Sequence, residues 1–231
     1  LFLLLGSRAF VDYSTSGLEN PLIHLLLWAT MLPRGGGGPG PQRLAAGVGL
    51  VLITRLDLLP LVGPLLWVAL RADDASGGSR SPFSGGSRSL LLACGPPLLL
   101  AALCTGVFGS PLPNAALAKL GAGLPHAVLW AQGARYLAQS FVDDPMTLGA
   151  IALGVVVGLV RGDRCERAAM VGVALHLLWV VHAGGDFMAG RLLTPALALA
   201  LTPLMRRTPT RGALALVPLA ALALALGQSA P

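Results

Sequence analysis

LAAGVGLVLITRLDLLPLVGPLLWVAL, residues 44 to 70, decides how this chain lies in a membrane. Read as one helix, it places Arg55 and Asp57 near the middle of the bilayer. Each charge there costs at least about 2.5 kcal/mol. Read as two short helices that turn at Thr54-Arg55-Leu56-Asp57, the same residues avoid that cost, and the charged quartet becomes the tip of a hairpin. Helices of about 11 to 13 residues rise only roughly 17–20 Å. The tip is therefore expected below headgroup level, in a cavity lined by protein.

The rest of the chain has the same character. Apolar residues make up 55% and charged residues 11%, with a mean hydropathy of +0.75. Soluble domains carry about 25% charged residues, so lipid is the expected solvent. Apolar stretches fall at 22–32, 44–54, 58–70, 89–108, 146–160, 168–182, 192–205 and 213–226. The expected fold is all-α, a polytopic helical bundle of about eight membrane segments forming a single domain over residues 1–231. The chain opens on LFLLLG without a methionine or a recognisable secretory signal, which reads as an internal fragment of a longer membrane protein.

With the hairpin in place, strict alternation sorts the charges. Arg34, Arg43, Arg71, Arg80, Arg88, Arg161, Arg164, Arg167, Arg206, Arg207 and Arg211 fall on one side, 11 of the 16 basic residues. That side is expected to be cytoplasmic. The other side receives Asp12, Glu19, Asp57, Asp143, Asp144 and Asp186, 6 of the 10 acids. The net charge of +6 is scattered over short loops and forms no stripe, which argues against nucleic acid. Cys94, Cys104 and Cys165 have neither CxxC spacing nor a histidine partner and read as small packing residues. No metal-ligand spacing is present, and no cofactor is indicated.

Polar chemistry is expected on the acid-rich side. In HAGGDFMAGRLLTP, residues 182–195, Gly184, Gly185 and Gly190 allow tight turns. Pro195 marks a helix start, so 183–194 reads as a dipping loop in which Asp186 and Arg191 converge on a polar ligand. On a continuous helix the two would point about 140° apart. In SGLENP, Ser16 and Glu19 fit a capping box, but Pro21 sits better at the first helical position with Asn20 as cap, which leaves Glu19 to face a site. Arg55 and Asp57 either neutralise each other or serve a lipid-borne phosphate. Lys119, the single lysine, either snorkels or binds. Asp143-Asp144-Pro145 is explained by helix capping, Gly154 and Gly158 by close packing, and His24, His176 and His182 by packing roles.

SRAFVDYSTSGLENPL, LITRLDLLPLV, PLPNAALAKL and GGDFMAGRLLTPAL occur in this order along residues 7–205. In this the chain resembles a family of multi-spanning membrane glycosyltransferases, the terminal arabinofuranosyltransferases that cap mycobacterial and corynebacterial cell-wall arabinan. GGDFMAGR is the specific element, with Ala189 where the family commonly has histidine. The resemblance implies a glycosyltransferase C-like helical fold in the plasma membrane, a polyprenyl-phosphate-linked sugar donor, and a polysaccharide acceptor on the extracytoplasmic side. It also implies a carboxylate base in a first outer loop, expected upstream of Leu1, and a soluble C-terminal domain. Within the chain, Arg55 and Lys119 are then expected near phosphate, and Glu19, Asp57, Asp186 and Arg191 near sugar or as positioning groups. The rival expectations are a lipid-linked sugar flippase, which should carry inverted repeats, and a non-catalytic membrane scaffold.

Overall fold

The computed structural model describes residues 2–32, 38–75, 85–111 and 125–207, and all regular structure among them is helical. In chain order the helices are α1 (Phe2–Leu5), α2 (Arg8–Thr15), α3 (Asn20–Met31), α4 (Pro41–Thr54), α5 (Leu59–Ala75), α6 (Gly85–Phe108), α7 (His126–Asp143), α8 (Pro145–Arg161), α9 (Arg164–His182), α10 (Thr194–Ala200) and α11 (Thr202–Arg207). Prolines in the first turns of α3, α4, α8 and α10 start those helices where no amide donor is needed. A full capping box between Asp163 and Glu166 opens α9.

The hairpin forms as its sequence requires. Helix α4 ends at Thr54, Arg55 is extended (φ −153°, ψ 111°), and a 3₁₀ turn at Leu56–Leu58 leads into α5. With 14 residues, α4 is about 21 Å long and falls short of a bilayer core of about 30 Å.

The number of membrane segments differs from expectation. Among the described residues two helices are long and apolar enough to cross a membrane, Gly86–Phe108 and Arg164–His182. The α7–α8 pair, bent by 105°, makes a third if taken as one broken span. Eight is therefore too many, and the physical reason is clearest at 192–205. That run is not a span but a 3₁₀ turn followed by the short helices α10 and α11. Every residue from Leu192 to Pro203 is buried. Its uniform apolarity reflects enclosure by α3, α8 and α9, not contact with lipid. Trp28 on α3 donates its indole N–H to the carbonyl of Ala198 at 2.9 Å, which fixes this central plug. Segment 213–226 lies outside the described residues.

Within the apolar core several polar side chains are enclosed, while large apolar ones face outward. Ser7, Asn20, His24, Thr30, Asp144, Thr147 and His176 are buried, whereas Leu91, Leu98, Leu99 and Phe108 of α6 and Val156 and Val160 of α8 are exposed. Such an arrangement suits a lipid surround. The glycine pair of α8 packs as expected: Gly154 lies against the carbonyl of Ala200 and Gly158 against Met170 and Pro203.

Asp144 caps α8 through the amide of Thr147, as its place before Pro145 predicts. It also accepts from the amide of Ala9 at 2.9 Å and from the Thr147 hydroxyl, which bonds in turn with Ser7. One carboxylate thus ties α2 to the α7–α8 corner. At the two ends of α9 the charges differ. Near its start Glu166, buried, is held by Arg206 and Arg207. Past its end, about 28 Å away along a 19-residue helix, lies the second charge cluster.

Candidate functional site

The loop after α9 is built by its glycines. Gly184, Gly185 and Gly190 have φ of +83°, +75° and +76°, values that favour a residue without a Cβ. The amides of Gly184 and Gly185 return to the carbonyls of Val181 and Val180, closing the helix, and the chain folds back toward the bundle. The Leu193 amide reaches the Gly190 carbonyl at 2.9 Å and forms the 3₁₀ turn that carries Arg191. Asp186 and Arg191 therefore do meet, with Nη1 of Arg191 3.7 Å from Oδ2 of Asp186.

Three further charges complete the cluster. Oε1 of Glu19 accepts from Nη2 of Arg191 at 2.9 Å and from Nη1 of Arg55 at 3.3 Å. Arg55 forks onto both oxygens of Asp57, with its Nε 2.9 Å from Oδ1. Five of the six side chains singled out in the sequence thus come together from three distant segments: the α2–α3 joint, the hairpin tip and the glycine loop. Lys119, the sixth, lies outside the described residues. Three carboxylates face two guanidiniums, so the cluster carries one negative charge in excess.

The two arginines are not equivalent. Arg55 is 11% exposed and its fork is filled by Asp57, which makes it a bracket for the hairpin tip and leaves no open edge for phosphate. Arg191 is more open, at 20%, its contact with Asp186 is long, and its buried Nε has no hydrogen-bond partner. Arg191, not Arg55, is thus the cation with donor capacity to spare.

Residues not singled out for the site hold the loop in place. Tyr13 donates its hydroxyl to the carbonyl of Ala189 at 3.0 Å. Tyr136 donates to the Met188 carbonyl at 3.4 Å and accepts from the Leu192 amide at 3.3 Å. Nε2 of His176 lies 2.9 Å from the Leu192 carbonyl. The chain has only two tyrosines, and both direct their hydroxyls to this loop; their scarcity was the one available signal. The capping expected at the start of α3 is not formed. Ser16 instead bonds back to Tyr13, Glu19 occupies the cap position in helical conformation without a side-chain bond to the helix amides, and the Asn20 side-chain amide is buried without a partner. The backbone turns into the helix one residue earlier than the side-chain preferences suggest, and the Glu19 carboxylate is drawn to the guanidiniums.

Burial alone would raise the Glu19 carboxyl, but a backbone hydrogen bond and the guanidiniums of Arg191 and Arg55 outweigh it and hold it below the usual range. Burial is likewise overcome at Asp57 by the fork of Arg55. Burial, then the charges of Asp12 and Asp186, push the Tyr13 phenol up, so it stays a proton donor at neutral pH. Because the two carboxyl values are lowered on folding, their contribution is fully present above about pH 4 and is lost as pH falls through the lowered values. In detergent, the melting-temperature advantage of the unaltered protein over a Glu19→Gln variant is expected to be constant from about pH 7 to 5 and to shrink below about pH 4. An advantage already lost at pH 5 would contradict this electrostatic arrangement.

Neither a family model, nor a curated protein, nor a solved structure matches this chain.

Proposed function

We propose that this chain is the membrane-embedded part of a glycosyltransferase. On this reading it moves a sugar, with arabinofuranose the first candidate, from a polyprenyl-phosphate carrier to a cell-wall polysaccharide. The reaction takes place at the extracytoplasmic face of a multi-pass plasma-membrane protein. The observation that carries the reading is Arg191: a guanidinium with an unpartnered Nε and a long bond to Asp186, on a glycine loop past the end of a membrane-length helix. A cation so held can exchange Asp186 for an arriving phosphate oxygen.

In the reaction an acceptor hydroxyl attacks the anomeric carbon, the bond from that carbon to the phosphate oxygen breaks, and polyprenyl phosphate departs. Arg191 stabilises the charge growing on that phosphate. The acceptor's proton goes to a carboxylate. Glu19 does not suit that task, because its lowered pKa makes it a weak base, and it serves to position the two arginines. Arg55 and Asp57 hold the hairpin tip against them.

The test is to supply polyprenyl-phosphoryl arabinose and an arabinan oligosaccharide to the full-length protein in detergent and to look for lengthened oligosaccharide. Product is expected. Labelled sugar that crosses sealed vesicles without being joined to acceptor would overturn transfer in favour of a flippase.

A further inference from the structure

Beside the glycine loop lies a cleft of about 210 Å³. Its walls are the α2 helix, the α7–α8 corner and the loop, with Arg8, Asp12, Tyr13, Ser140, Asp143 and Gly190 among the lining residues. We propose that this cleft binds one neutral sugar ring of the acceptor polysaccharide, next to the loop that carries Arg191. The proposal rests on the transferase reading and assigns its acceptor site.

Three observations converge on a polyhydroxylated ligand. The first is Ser140, which lines the cleft, is 4% exposed and has a hydroxyl without a hydrogen-bond partner. A buried hydroxyl left unpaired costs stability, and such groups in native proteins are usually explained by something that binds them. Ordinary serine packing does not account for it, because the usual bond to the preceding helical turn is not made.

The second observation is charge. Both oxygens of Asp144 are already taken by the Ala9 amide and by Thr147, so Asp144 builds the wall and does not reach for a ligand. Asp12 and Asp143 remain, Asp143 with one oxygen accepting from Nε2 of Gln139 at 2.9 Å, against Arg8, which pairs loosely with Asp12 at 3.6 Å. Arg8 is 76% exposed, so the cleft offers an anion such as phosphate no enclosed cation, whereas Arg191 is 20% exposed. Among the described residues no group of three acidic, histidine or cysteine side chains could hold a metal ion. Carboxylates, a serine and a tyrosine set side by side offer both acceptors and donors, as adjacent sugar hydroxyls require. Tyr13 donates to Ala189, which leaves its oxygen lone pairs for a ligand hydroxyl.

The third observation is size and place. The volume is below the roughly 300 Å³ of the smallest usual drug-sized pockets, so a single ring fits better than an extended chain or a lipid tail. Ala189 and Gly190 form part of the cleft wall, and Arg191 is the next residue. A ring seated there therefore lies beside the loop that carries Arg191.

The experiment measures binding of an arabinan oligosaccharide alone, with no donor present, by calorimetry on the whole protein in lipid nanodiscs. Ser140→Ala is expected to weaken binding about three- to tenfold, as loss of one neutral hydrogen bond does. Its melting temperature should stay level or rise, because an unpaired buried hydroxyl has been removed. Asp12→Asn changes an exposed side chain, should leave melting unaltered, and is expected to weaken binding by a similar factor. Affinity unchanged in both variants while transfer proceeds would overturn the cleft assignment and leave the transferase reading standing. Binding that weakens in both variants, in a protein that transfers no sugar, would support the cleft and overturn the transferase reading. Absence of oligosaccharide binding to the unaltered protein, or binding of spermidine in its place, would overturn the assignment outright.

Discussion

Arg191→Met is expected to destabilise the protein by about 3 kcal/mol, and adding Asp186→Asn is expected to recover a large part of that loss. The asymmetry comes from burial. The Asp186 side chain is only 6% exposed and accepts just one further hydrogen bond, from the amide of Phe187 at 2.8 Å. Without Arg191 its charge keeps only the more distant Arg55 as a compensating cation, and breaking such a pair from one side costs about 3–5 kcal/mol. The long 3.7 Å contact puts this case at the lower end. Glu19 loses less, since Arg55 remains within 3.3 Å. Neutralising Asp186 in the same chain removes the orphaned charge, so the two changes should couple by about 1–2 kcal/mol. Denaturant unfolding of the four proteins of this cycle in detergent measures it. Simple additivity would mean that the two side chains do not interact as placed. The double variant also separates clamp from chemistry. It should fold, yet transfer sugar about a hundredfold more slowly if Arg191 stabilises the departing phosphate. Full transfer by that variant would leave Arg191 as a structural clamp only.

What the sequence reveals here depends on whether a residue's constraint is local. Arg55 and Asp57 cannot lie in mid-bilayer, so the hairpin break is legible from cost alone, and the chain turns there. Gly184, Gly185 and Gly190 announce a turning loop, and all three adopt positive φ. Asp144 before Pro145 announces a helix start, which it makes. The number of spans is a different kind of question. An apolar run states that water is excluded, not whether lipid or protein excludes it, so Leu192–Leu201 reads as a span although it is the centre of the bundle. Helix α7 is hidden for the opposite reason. Gln132, Arg135, Gln139 and Ser140 lower its hydropathy, although its helical periodicity is intact. Tyr13 and Tyr136 escape notice because their partners are backbone carbonyls and an amide, which leave no mark in a side-chain motif.

Gly172→Val should be among the most damaging single changes outside the charged cluster. A Cβ built on Gly172 would sit 2.0 Å from the carbonyl oxygen of Leu61 and 3.0 Å from its carbonyl carbon. Backbone cannot swing aside as a flexible side chain can, so α5 must move off α9. Overpacking of this kind costs about 3 kcal/mol or more. The consequence reaches the site, because α5 begins directly after the tip that holds Arg55 and Asp57, and α9 carries His176, which supports the loop through Leu192. Loss of transfer should therefore accompany loss of stability, and trimming Leu61 to alanine should not rescue either, since the clash is with its main chain. Gly63→Ala on the same helix as Leu61 is the control. No atom lies within 4 Å of the point its new methyl group would occupy, and replacing an interior helical glycine by alanine gains up to about 1 kcal/mol. Unfolding of both variants in detergent, followed by circular dichroism, gives the comparison. Were Gly172→Val to melt with the unaltered protein, α5 would not be docked on α9, and the hairpin tip could not deliver Arg55 to Glu19.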